Sequence, residues 1–101
     1  MKNGWGLDLQ LTVDLPDRHR RLAILKVYND DRPSVSVDLT SWAAQTEGWN
    51  GADLALLSNQ AALEAVQRYR AADCTDQSTI QIFTDDFLAA YQLLSKQRQS
   101  V

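Results

Sequence analysis

The chain has 101 residues, 45% of them hydrophobic and 23% charged, which sets it apart from disordered sequences and fits one small domain. Ten basic and thirteen acidic side chains leave a net charge of −3. That balance argues against nucleic-acid binding through a broad basic surface, because such binding draws on phosphate neutralisation.

By surface scaling, a chain of this length buries roughly 65% of the surface that its unfolded form exposes, so one modest core needs no metal or disulfide. No apolar run approaches the roughly 20 residues of a membrane span, and Met1-Lys2-Asn3-Gly4-Trp5 opens no signal-peptide stretch. The single cysteine, Cys74, cannot form an internal disulfide, which fits a reducing, cytoplasmic setting.

Residues 7–15 (LDLQLTVDL) alternate apolar and polar, the period of a strand buried on one face. Pro16 ends the run, and Asp17 stands where a helix N-cap belongs. Leu22, Ile24, Leu25 and Tyr28 follow at helical spacing, with Arg18, Arg20, Arg21 and Lys26 on the remaining surface. Asn29-Asp30-Asp31-Arg32-Pro33 closes that helix by turn chemistry. Val35–Val37 reads as a short extended piece. Asp38 caps a brief helix carrying Leu39, Trp42 and Ala43, stopped near Gly48.

Asn50-Gly51-Ala52-Asp53 is a second helix start, with a carboxylate placed to cap in return. The run from Leu54 to Tyr69 is the strongest helix, rich in alanine and free of proline and glycine. Its stripe of Leu54, Leu57, Ala61 and Ala65, widened by Leu56, Leu63 and Val66, describes a central helix with neighbours on more than one side. Residues 72–78 read as a loop. Ile80–Ile82 alternates again, and can pair with Val35–Val37. Thr84 caps a last helix with Asp85 and Asp86 in its first turn and Phe87, Tyr91 and Leu94 on its inner face. The expected fold is mainly α: four helices, one opening strand at about 7–15, and a short two-stranded pairing. That strand has no partner of comparable length in the chain, so its backbone groups call for a sheet supplied from elsewhere.

No residue set forms a catalytic centre. The four glycines build no phosphate loop, and none of Lys2, Lys26 or Lys96 directly follows one. His19 is the lone histidine, too little for a histidine-based metal site or a Ser-His-Asp triad. Asp30-Asp31 and Asp85-Asp86 read as turn and helix-start acids, and Arg18, Arg20 and Arg21 as a solvated helix face. Neither a catalytic nor a metal-ligating residue is assigned.

Several segments in register resemble one family. Val13-Asp14-Leu15-Pro16-Asp17 followed by Arg21-Leu22-Ala23-Ile24-Leu25-Lys26 is similar to the junction between core and lid of an AAA ATPase. Val37-Asp38-Leu39 and Thr46-Glu47-Gly48-Trp49-Asn50-Gly51-Ala52-Asp53-Leu54 resemble that family's T-x-G-[FY]-S-G-A-D-L segment. Gln60-Ala61-Ala62-Leu63 resembles its E-A-A helix, and Thr84-Asp85-Asp86-Phe87 its T-x-x-D-F cap. Order and spacing agree over about residues 7–98.

The resemblance implies an AAA-type helical lid at residues 17–98, with 1–16 as the last strand of an ATPase core and 99–101 as a frayed tail. The other strands of the sheet would precede Met1. It implies a lid that covers ATP and passes closure to neighbouring subunits of a ring, without catalysing hydrolysis by itself. ATP would bind only together with the core, which would also supply Mg. Ile24 and Tyr28 would approach the adenine and ribose, with Tyr28 where the family usually has histidine. Gly51 and Ala52 would let the backbone approach the nucleotide. The two arginines that the family uses toward a neighbour's γ-phosphate are replaced by Gly6 and Leu9, so such a subunit would not activate its neighbour in the usual way. Partners are then the ATPase core and adjacent subunits, with neither nucleic acid nor membrane engaged by this segment. The alternative, from a different class, is a stand-alone helical protein-binding module in which exposed Trp5, Trp42 or Trp49 anchors a partner.

Overall fold

The computed structural model describes residues 15–35, 37–72 and 80–99. The opening alternation at 7–14, Trp5 and the Gly6/Leu9 pair lie outside the described residues. Within them the order is α1 (Arg18–Asn29), β1 (Ser34–Val35), α2 (Leu39–Gln45), α3 (Gly51–Ala71), β2 (Ile82–Phe83) and α4 (Thr84–Gln99). The expectation of a mainly helical, four-helix lid-type bundle holds.

Each helix start follows from its capping residue. The Asp17 carboxylate accepts the Arg20 amide at 2.8 Å, and Asp38 accepts those of Thr40 and Ser41 at 3.0 and 3.4 Å. At α3 the capping box closes in both directions: the Asp53 amide donates to Asn50 at 2.8 Å, and the Asn50 amide donates to Asp53 at 3.0 Å. α4 departs from the expected Thr84 cap. Thr84 is already helical, and Asp86, third in the helix, accepts the Phe83 amide at 2.8 Å.

β1 and β2 form a parallel pair, Ser34 opposite Ile82 and Val35 opposite Phe83. The two stretches do pair, but in a register shifted from 35–37 with 80–82. Asp38 commits the chain to α2 straight after Val37, and Asp86 holds Phe83 at the foot of α4. The ladder is confined between those two helix starts.

The core gathers Leu25 from α1, Trp42 and Ala43 from α2, Leu54, Leu57, Ala61 and Ala65 from α3, and Ile82, Phe87 and Ala90 from the β2–α4 end. Burying each of the larger side chains contributes about 1.5–3 kcal/mol. α3 thus has neighbours on more than one side, as its stripe implied. Leu56 and Leu63 do not widen that stripe; they are 54% and 52% exposed. Ser58 is buried in their place, because α1 approaches the Leu54–Ser58 side of the helix through a polar contact.

Two of the tryptophans that the alternative module reading requires as exposed anchors are core residues, Trp42 at 4% and Trp49 at 5% exposure. Trp42 packs on Phe87 (5.8 Å between centroids) and Tyr91 (5.5 Å), and Trp49 stacks on Tyr91 at 5.5 Å and 5°. The turn between α2 and α3 that places Trp49 is fixed internally. The buried Thr46 hydroxyl donates to the Trp42 carbonyl at 2.9 Å, the Trp49 amide donates to Thr46 O at 3.0 Å, and Gly48 adopts φ +86°.

Asp86 is buried and takes a two-pronged contact from Arg68 of α3, Nη2 to Oδ2 at 2.8 Å and Nε to Oδ1 at 3.3 Å. Arg68 also donates to the Gln81 carbonyl at 2.9 Å and lies over the Phe83 ring at 4.7 Å. The hydrogen bonds to Asp86 raise the Arg68 pKa above the usual arginine value, against a smaller opposing effect of burial. A base held more firmly in its charged form keeps this clasp intact below its already high pKa, so salt rather than pH weakens it through the neutral range.

Two stability outcomes follow. Gly48→Ala forces an L side chain into left-handed backbone where its Cβ meets no atom within 4 Å, so it costs backbone strain alone, about 1–2 kcal/mol, read as a lower urea midpoint with unchanged slope. Arg68→Met leaves Asp86 buried without its cation, and urea unfolding at pH 7 should show a loss of about 1–3 kcal/mol.

Candidate functional site

α1 is set in place by Arg21, which the sequence assigns to a solvated basic face and the structure buries. Its Nε donates to the Ala43 carbonyl at 2.8 Å and its Nη1 to the Pro16 carbonyl at 2.9 Å. One guanidinium therefore ties the approach to α1 to the end of α2. Arg18 and Arg20 remain on the exposed face.

One turn apart on α1, Ile24 and Tyr28 occupy different surroundings. Ile24 is half-buried against the core, whereas Tyr28 is 41% exposed. Gly51 opens α3 and Ala52 follows it, exposed. Helix geometry leaves the first amides without partners inside the helix; here the Asp53 amide is taken by Asn50, so those of Gly51 and Ala52 carry the positive end of α3. Gly51 has no positive φ, and a Cβ built on it meets nothing within 4 Å. Nothing inside the described fold requires glycine at 51.

The four residues lie on adjoining helices and do not line a groove found among the described residues. That groove, about 340 Å³, is bounded by Arg32, Pro33, Ala62, Val66, Ile80 and Ile82. The end of α1 meets α3 at Ser58, two turns beyond Gly51, roughly 10 Å along the helix axis. Among the described residues no group of three or more His, Cys, Asp or Glu could hold a metal ion, and no helix is long and apolar enough to cross a membrane.

Sequence reasoning missed the polar junction between α1 and α3. The Asn29 amide group donates to the Leu25 carbonyl at 2.8 Å and to Ser58 Oγ at 3.0 Å. Arg32 donates to the Ser58 carbonyl at 2.8 Å and to Asn59 Oδ1 at 2.7 Å. The signal was present in the i, i+4, i+8 spacing of Arg21, Leu25 and Asn29, a buried stripe disguised by two polar members.

The fold and this arrangement define a class. Residues 36–81 match the family model described as the AAA+ lid domain, and the chain carries the lid domain of an AAA-type ATPase. Its relatives include ATP-dependent zinc metalloproteases. It is 52% identical over 62 residues to the ATP-dependent zinc metalloprotease FtsH 1 of Thermomicrobium roseum, a match covering 60% of this chain and 10% of that protein. It is 46% identical over 69 residues to the ATP-dependent zinc metalloprotease FtsH of Trieres chinensis, covering 67% of this chain and 11% of the relative. Against the protein of the same name from Synechococcus sp. (strain JA-2-3B'a(2-13)) it is 50% identical over 62 residues, 60% of this chain and 10% of the other. The chain therefore spans about a tenth of the length of the curated relatives it matches.

The geometry separates residues that hold the fold from those that do not. Tyr28→Ala and Gly51→Ala should each leave stability within about 0.5 kcal/mol of the unsubstituted chain. Leu25→Ala should cost about 2–5 kcal/mol, with all three compared by thermal and urea unfolding.

Proposed function

We propose that this chain acts as the lid over a nucleotide bound by an ATPase core, with residues 17–98 as the lid, 1–16 as the end of the core and 99–101 as a tail. One observation carries the reading: Gly51 stands at the positive start of the longest helix with no internal reason to be glycine. Its smallness then serves an approach from outside, and ATP is the ligand that the family implies. Backbone amides at Gly51 and Ala52 face phosphate charge, and at position 51 a side chain larger than hydrogen would hold the ligand off. The exposed Tyr28 ring stacks on the base, and half-buried Ile24 supports it from the core side.

In this reading the chain binds and orients but does not cleave. The phosphate loop, the Mg ion and the water-positioning acids belong to the core, which supplies the hydrolytic chemistry. Closure of the lid is passed to neighbouring subunits of a ring in the cytoplasm. With Gly6 and Leu9 at the places where arginines would reach the adjoining nucleotide, either the parent ATPase is divergent or an arginine from elsewhere supplies that charge. The module reading loses two of its three anchors, since Trp42 and Trp49 are packed inside.

Grafting residues 15–99 onto an FtsH-type core stripped of its own lid tests the reading. A fluorescent ATP analogue should bind the graft about tenfold or more tighter than the lidless core. Gly51→Val should return affinity toward that of the lidless core, and Tyr28→Ala should weaken it by several-fold. Equal affinity with and without the graft would sink the proposal.

A further inference from the structure

We propose that α1 opens as a unit of its own, before the rest of the lid, at a polar seam against α3. Of its three fully buried side chains, Arg21, Leu25 and Asn29, only Leu25 is apolar, and the half-buried Leu22 and Ile24 complete its apolar contact with the core. α3 and α4, by contrast, meet through Leu57, Ala61, Ala65, Phe87 and Ala90. The seam carries a flaw that opening relieves. Asn29 donates through its nitrogen to Leu25 and Ser58, while its Oδ1 is buried with no hydrogen-bond partner. Turning the amide over would not repair this, since it would set the oxygen against the Leu25 carbonyl.

An orphaned acceptor recovers a hydrogen bond as soon as water reaches it, so separation of α1 from α3 regains what packing forfeits. Ser58 sits opposite, a fully buried hydroxyl in a stripe that is otherwise leucine and alanine. Arg32 bridges the outside of the seam, one guanidinium spanning the Ser58 carbonyl and Asn59 Oδ1. It acts as a strap: charge-assisted bonds at the exposed rim restrain a helix whose inner contact is incomplete. Where α1 carries Tyr28 toward a ligand, such a seam lets that helix adjust while the α3–α4 pair stays fixed. The seam itself rests on the packing alone, not on that function.

Native-state hydrogen exchange on the full chain tests it. Amides of Leu22–Tyr28 should exchange at least about tenfold faster than those of Ala61–Ala65, with a smaller urea dependence than global unfolding. Asn29→Leu combined with Ser58→Ala removes both the orphaned oxygen and the hydroxyl that the Asn29 nitrogen bonds; it should raise α1 protection about tenfold and leave α3 and α4 unchanged. Arg32→Ala should lower α1 protection selectively. It remains decisive if the double variant fails to fold. Equal exchange of α1 and α3 in the unsubstituted chain would overturn the proposal, as would a double variant that leaves α1 protection unchanged or reduces it. Arg32→Ala lowering protection in every helix alike would do the same.

Discussion

The column of rings Phe87, Trp42, Tyr91 and Trp49 is the contact on which the bundle depends. α2 has seven residues and cannot hold a helix on its own in water. It persists because Trp42 is wedged against Phe87 and Tyr91 of α4, while the Tyr91 hydroxyl donates to the Gln45 carbonyl at the helix end. Trp49, delivered by the Thr46–Gly48 turn, stacks on the far side of Tyr91 and brings the start of α3 with it. The first half of the chain and its last helix are thereby closed on each other. The start of α3, where Gly51 lies, inherits its position from this column.

Two kinds of adhesion are unevenly shared. The α3–α4 interface is apolar and close-packed, and the Arg68–Asp86 clasp seals its β2 end. α1 adds to the apolar contacts of Leu25, Leu22 and Ile24 a set of side-chain hydrogen bonds, Arg21 to the Ala43 carbonyl at its start, and Asn29 to Ser58 Oγ with Arg32 to the Ser58 carbonyl at its finish. Hydrogen bonds of this kind are directional and fix orientation well. They exchange readily for water and contribute modestly to net stability.

Much of the fold was legible along the chain because it is local. Asp17, Asp38, and the Asn50–Asp53 pair announce three helix starts from within four residues of each. The Leu54–Leu57–Ala61–Ala65 stripe shows its buried face by spacing alone. Of the candidate site, Gly51 and Tyr28 could be named in advance through family resemblance, whereas the exposure of the Tyr28 ring could not. What could not be seen was that glycine at 51 answers to no neighbour within the fold. That is a statement about empty space around a Cβ, and only coordinates contain it.

The residues that misled were amphipathic or polar. Tryptophan serves equally as interior mass or surface anchor, and Trp42 and Trp49 went inside because Phe87 and Tyr91 of a distant helix offered rings to meet them. Arg21 and Asp86 look like surface charges until a carbonyl or a guanidinium from another helix comes within hydrogen-bonding reach. Leu56 and Leu63 look like core until no helix arrives to cover them. The sequence by itself determined where helices begin and how long they run, since capping and periodicity act over a few residues, while its motifs in register carried the resemblance to one family of lids. The tertiary structure alone decided which polar groups are buried, because burial is set by partners from distant segments whose approach no local pattern encodes.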